Sequence, residues 1–73
     1  MGSVNDAVFS PNKDKVLTGS EDGFAIVWDI GTQKPIKKLQ EKKEPIKKVR
    51  FNSDGTFIIA LYDKSASIVE ASS

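Results

Sequence analysis

The stretch "LTGSEDGFAIVWDI", residues 17–30, decides the fold. Two apolar runs flank Ser20-Glu21-Asp22-Gly23, in which Ser and Asp can bond nearby backbone and Gly accepts positive φ. The second run is rich in β-branched and aromatic residues and ends at Trp28-Asp29; Trp28 is the sole tryptophan of the chain. Apolar runs of this length around a tight turn predict a β-hairpin.

The same punctuation continues on both sides. Turn chemistry recurs at "SPNKDK" (10–15), "GTQKP" (31–35), "QEKKEP" (40–45), "NSDG" (52–55) and "YDKS" (62–65). The segments between them predict strands over 4–9, 16–19, 24–29, 35–39, 46–51, 57–61 and 66–70, an antiparallel all-β meander. The lysine-rich stretch 34–49 competes for helix, but Pro35 and Pro45 interrupt it and its apolar residues are too sparse for a helical face. It is expected to be strand, loop, strand.

The chain also repeats itself. Val4, Ala7 and Phe9 match Ile46, Val49 and Phe51 at an offset of 42, as do Val16, Leu17 and Thr18 with Ile58, Ile59 and Ala60. After a one-residue deletion the offset is 41, and Ile26-Val27-Trp28-Asp29 meets Ser67-Ile68-Val69-Glu70. A period near 41 with four short strands per unit predicts antiparallel propeller blades. The expected organisation is a first unit over 1–39, an inter-blade loop over 40–45, and a second unit over 46–73 that lacks its outer strand. Seven strands cannot close a ring of at least four blades.

Composition narrows the function classes. The 73 residues include no cysteine, so neither a disulfide framework nor a Cys-based metal site is available. Histidine is also missing, which removes the commonest general base and metal ligand. No phosphate-binding glycine loop, nucleophile elbow or metal-ligand cluster is present. The expectation is therefore no catalytic residue, no cofactor and no metal. Asp22, Asp54 and Asp63 stand in turns, where Asp caps backbone. No apolar run approaches the roughly 20 residues of a membrane helix, and the chain reads as intracellular, cytoplasmic or nuclear.

Net charge is +1 but unevenly placed. Residues 34–50 carry Lys34, Lys37, Lys38, Lys42, Lys43, Lys47, Lys48 and Arg50 against Glu41 and Glu44, a local +6. Lysine on an exposed edge strand discourages unwanted sheet pairing. The same run could instead meet an acidic protein surface or nucleic-acid phosphate. Nucleic acid is the less favoured partner, because residues 33–50 contain no aromatic ring on which bases could stack.

With the repeat, the Asp-Gly turn and Trp28-Asp29 in view, the chain resembles the WD-repeat family of β-propellers from Val4 to Ala71. The first unit follows the family order without a gap; in the second, "IVEA" stands where Trp-Asp is usual. The resemblance implies a structural hydrogen-bonded set of Thr18, Asp22 and Trp28, with Trp28 as a blade-core aromatic. The family's Gly-His pair ahead of the first strand is replaced before the second unit by Glu41-Lys42, so the set lacks its histidine.

The resemblance further implies a non-catalytic scaffold completed by further blades, from a parent chain, a partner or copies of itself in a ring. A nucleic-acid-associated factor, or a structural piece with no activity of its own, are the alternatives. Candidate partner-binding residues are Phe24 and Tyr62, as aromatics at loop ends, with Lys42, Lys43, Lys47 and Lys48. An isolated chain is expected to leave apolar residues uncovered, among them Val4, Phe9, Val27, Ile58 and Ile68.

Overall fold

Strand alternation and turn chemistry together build two antiparallel sheets. The computed structural model describes residues 3–40 and 42–71. The first sheet contains β1 (Val4–Phe9), β2 (Lys15–Ser20), β3 (Ala25–Asp29) and β4 (Lys34–Leu39), in that spatial order. The second contains β5 (Lys48–Phe51), β6 (Phe57–Leu61) and β7 (Ala66–Glu70). Each strand pairs with its sequence neighbour, so both sheets are meanders. The all-β blade architecture read from the sequence is the one observed.

The β2–β3 turn shows why Gly23 stands where it does. Its φ is +87°, and a Cβ there would lie 2.5 Å from the Lys42 carbonyl oxygen. Ser20 closes the turn by donating its N–H to the Phe24 carbonyl and accepting from the Gly23 N–H, each at 3.1 Å. At the outer edge, Pro35 on β4 faces Trp28 across a register shift between Val27 and Trp28. An outer strand accommodates proline because one of its sides has no ladder to donate into.

The sheets stack face on face. Leu17, Ala25 and Val27 of the first sheet bury against Ile46, Val49, Ile58, Ala60 and Tyr62 of the second segment, with Val8, Leu39 and Phe51 packed around them. Gly19 sets the approach: a Cβ there would lie 2.6 Å from Ile46 Cγ2 and 2.7 Å from Val49 Cγ1. Any larger residue would wedge the sheets apart. The Ile46 N–H also donates across the interface to the Ser20 carbonyl at 3.0 Å. That bond ties Ile46 to the first sheet, while the Lys47 N–H already donates to the Leu61 carbonyl of β6 at 2.7 Å, and β5 begins at Lys48 and not at 46.

Three of the apolar residues expected to lack cover do lack it: Val4, Phe9 and Ile68 are 60%, 63% and 69% exposed. Val27 and Ile58 correct the expectation, since each is only 1% exposed. They lie on the two sheet faces turned toward each other, where either sheet covers the other. Trp28 needs a second correction. It is half-buried, because its side chain lies on the face of the first sheet turned away from β5–β7.

Candidate functional site

The outward face of the first sheet brings Thr18 and Trp28 together. Thr18 sits opposite Ile26, and Val16 opposite Trp28, on the β2–β3 ladder. Alternation therefore turns Thr18, Ile26 and Trp28 to the side opposite Leu17 and Val27. The Trp28 indole Nε1 donates to Thr18 Oγ1 at 3.2 Å. Asp22 stays within its turn, where its carboxylate accepts from the Ser20 hydroxyl and, at 3.2 Å, from the Phe24 N–H. The Ser20 hydroxyl is also within 3.1 Å of the Phe24 carbonyl. Thr18, Ser20, Asp22, Phe24, Trp28 and Lys38 line an open groove of about 390 Å³ together with the apolar Val4, Ile26 and Pro35.

Phe24 lies at this groove with the Lys38 ammonium 4.7 Å from its ring centre, a cation–π arrangement. Tyr62 differs from the expectation of an exposed anchor. It is 6% exposed, packed in the inter-sheet core, with Lys42 Nζ 5.2 Å from its ring centre. The position matched to Tyr62 in the first unit is Ser20, 7% exposed and bonded within its own turn; in the second unit the first sheet covers Tyr62. Lys42 also donates to the Ser65 hydroxyl.

The lysine run does not form one patch. Lys34, Lys37 and Lys38 lie on β4, the outer strand of the first sheet, whereas Lys48 lies on β5, the inner strand of the second. Lys43 and Lys47 are exposed in the connection between them. Crossing four strands at roughly 4.8 Å per pairing separates the two edges of the first sheet by about 14 Å. The chain traverses that distance between Leu39 and Lys48.

A second polar cluster, at the inner strands, was missed in the sequence. Asp6 Oδ2 accepts from the Val49 N–H at 3.0 Å and from Arg50 Nη1 at 2.8 Å. Next to it, Asn5 Nδ2 donates to the Ile46 carbonyl and to Glu21 Oε1, both at 2.9 Å. The Val49 N–H, more than the Arg50 guanidinium, holds the Asp6 carboxyl below its ordinary value of 3.8. One signal was available: a carboxylate at the central position of an apolar inner strand, on the side shared with Val8. Asp54 is a turn cap, accepting from the Thr56 hydroxyl at 2.5 Å and from the Thr56 N–H at 3.0 Å, and these bonds, the hydroxyl's first, lower its carboxyl.

Two stacked four- and three-stranded meanders, with a Trp–Thr bond on one face, define the β-propeller blade class. The family model described as "WD domain, G-beta repeat" matches residues 1–29 and 33–69, and the chain belongs to that family. The second match runs from β4 to β7, so the sequence repeat and the sheet are out of phase: one repeat supplies the outer strand of the first sheet and all of the second.

Among curated proteins, the chain is 34% identical over 55 residues to the spindle assembly checkpoint protein bub3 of Schizosaccharomyces pombe, covering 75% of this chain and 17% of that one. It is 30% identical over 71 residues to the eukaryotic translation initiation factor 3 subunit I of Bombyx mori, covering 96% of this chain and 22% of the relative. It is 28% identical over 61 residues to the LST8 homolog of Drosophila melanogaster, covering 84% and 20%. The chain spans about a fifth of the length of these relatives. The solved WD40 repeats of RRP9 and the structure of U3-55K both superpose with TM-score 0.88 over 97% of this chain, at 17% identity, which establishes the fold alone.

Proposed function

We propose that this chain serves as two repeats of a larger WD-repeat propeller, an interaction scaffold without a catalytic step of its own. One observation carries the reading: two sheets share a core through one face each, while Val4, Phe9 and Ile68 stay uncovered on the other faces. Exposed apolar faces of that kind mark interaction surfaces. Relatives more than four times as long, named as a checkpoint protein and an initiation-factor subunit, support a place within larger intracellular assemblies. The division of the lysines between opposite edges favours this scaffold over a single phosphate-binding strip.

A photo-crosslinking residue placed at Ile68 in the natural protein tests the reading. Adducts to β-sheet segments, identified by mass spectrometry, are expected. No adduct from Ile68, together with RNA adducts from probes at Lys43 and Lys47, would overturn it in favour of nucleic-acid binding.

A further inference from the structure

The packing of the first sheet on the second shows what a sheet docking on the other side of β5–β7 must offer. Toward the second sheet the first presents Asp6, Leu17 and Gly19. The positions matched to these at the offset of 42 are Lys48, Ile59 and Leu61. Val49, Ile58 and Ala60 are buried against the first sheet, so alternation turns Lys48, Ile59 and Leu61 to the open side. The ladder agrees, pairing Lys48 with Leu61 and Ile59 with Ile68.

The open face thus has an apolar floor of Ile59, Leu61 and Ile68 and a basic inner rim. Where Asp6 accepts from a backbone N–H and a guanidinium of the neighbouring sheet, Lys48 can only donate. Covering an ammonium without a carboxylate is costly. The acid on this face, Glu70, lies on β7, two strand spacings across and four residues along from Lys48, roughly 16 Å away.

We propose that the open face of β5–β7 docks a propeller blade of another sequence whose innermost strand presents an Asp or Glu to Lys48. This rests on the propeller reading above and adds the chemistry of the neighbour: the Asp6–Arg50 pair recurs with its charges reversed. A second copy of this chain does not supply that group. It would offer β1, where Ala7 and Val8 match Val49 and Arg50, and its Asp6 is already held by Val49 and Arg50 of its own chain. The relatives, with most of their length outside the matched region, provide room for blades of other sequence.

Ala7 is exposed on the outer side of β1, so the full chain carrying Ala7→Glu is a probe blade with the required acid. Labelled Ala7→Glu is titrated with wild-type chain by fluorescence anisotropy at low and high salt, with Ala7→Gln as the neutral control. The expected result is at least tenfold tighter association for Ala7→Glu than for Ala7→Gln, lost with Lys48→Gln and reduced by salt. Equal affinity of the two probes, or a gain that survives Lys48→Gln, overturns the proposal. Should Ala7→Glu lose its β circular dichroism, the reversed pair Lys48→Glu with Ala7→Lys gives the same readout, and no gain there also overturns it. Tight wild-type self-association indifferent to Lys48 would end the proposal while leaving the propeller reading intact. No sheet adducts from Ile68, together with RNA adducts from probes at Lys43 and Lys47, would end the scaffold reading on which the proposal rests.

Discussion

The two sheets have the same architecture, yet the first carries a Trp28–Thr18 hydrogen bond on one face, and the second has Val69 and Ala60 at the matching positions. The first sheet's outward face is open, and its indole N–H bonds to Thr18 Oγ1 at 3.2 Å. The second sheet's matching face presses against Leu17, Ala25 and Val27, where the side chains of Ala60 and Val69 need no hydrogen-bond partner. The second repeat thus keeps the strand order without the Trp–Thr bond.

The comparison is broken most directly at matched positions, one covered and one open. Leu17→Ala removes a fully buried side chain and should cost about 2–5 kcal/mol. Ile59→Ala, at the matched open position, should cost about 1 kcal/mol, since less apolar area leaves water. Urea unfolding followed by circular dichroism gives both values; equal costs would mean the two faces are covered alike.

Gly19→Ala should cost roughly 1–3 kcal/mol through overpacking against Ile46 and Val49, whereas Leu61→Ala should cost about 1 kcal/mol or less. Trp28→Ala should cost about 2 kcal/mol, roughly half the usual figure for a buried aromatic, because Trp28 is only half-buried. Thr18→Val should cost about 1 kcal/mol or less, since water can reach the indole N–H on this open face.

The smallest effect concerns pH. Asp6 has a lowered carboxyl, so its folded value lies below its unfolded one. Its contribution is fully present above the ordinary carboxylate value and is lost as pH falls through the lowered folded value. Asp6→Asn should therefore flatten the decline of stability below about pH 4 and leave the slope near neutrality unchanged. Thermal melts across that range check it. An unaltered acid limb would show that Asp6 does not couple the inner strands.

Much of this fold was legible because its turns announce themselves. Asp22-Gly23 and Asp54-Gly55 each mark a bend between alternating runs, and Pro35 and Pro45 exclude the helix that the lysines could otherwise support. Sequence could not tell which face of each sheet is covered. That depends on how the two sheets stack, so the burial of Val27 and Ile58, and of Tyr62, was not readable from local pattern. Phe24 resembles Tyr62 in sequence context, yet only Tyr62 has a sheet over it. The Asp6 cluster was hidden for a related reason: its partners, Val49 and Arg50, are 43 and 44 residues away.

Sedimentation equilibrium of the wild-type chain at micromolar concentration tests the central claim, that two sheets share one core and leave two faces needing cover. The account predicts concentration-dependent association or loss of soluble material, reversed when a covering blade is supplied. A well-dispersed monomer of 8.0 kDa that melts cooperatively would contradict it.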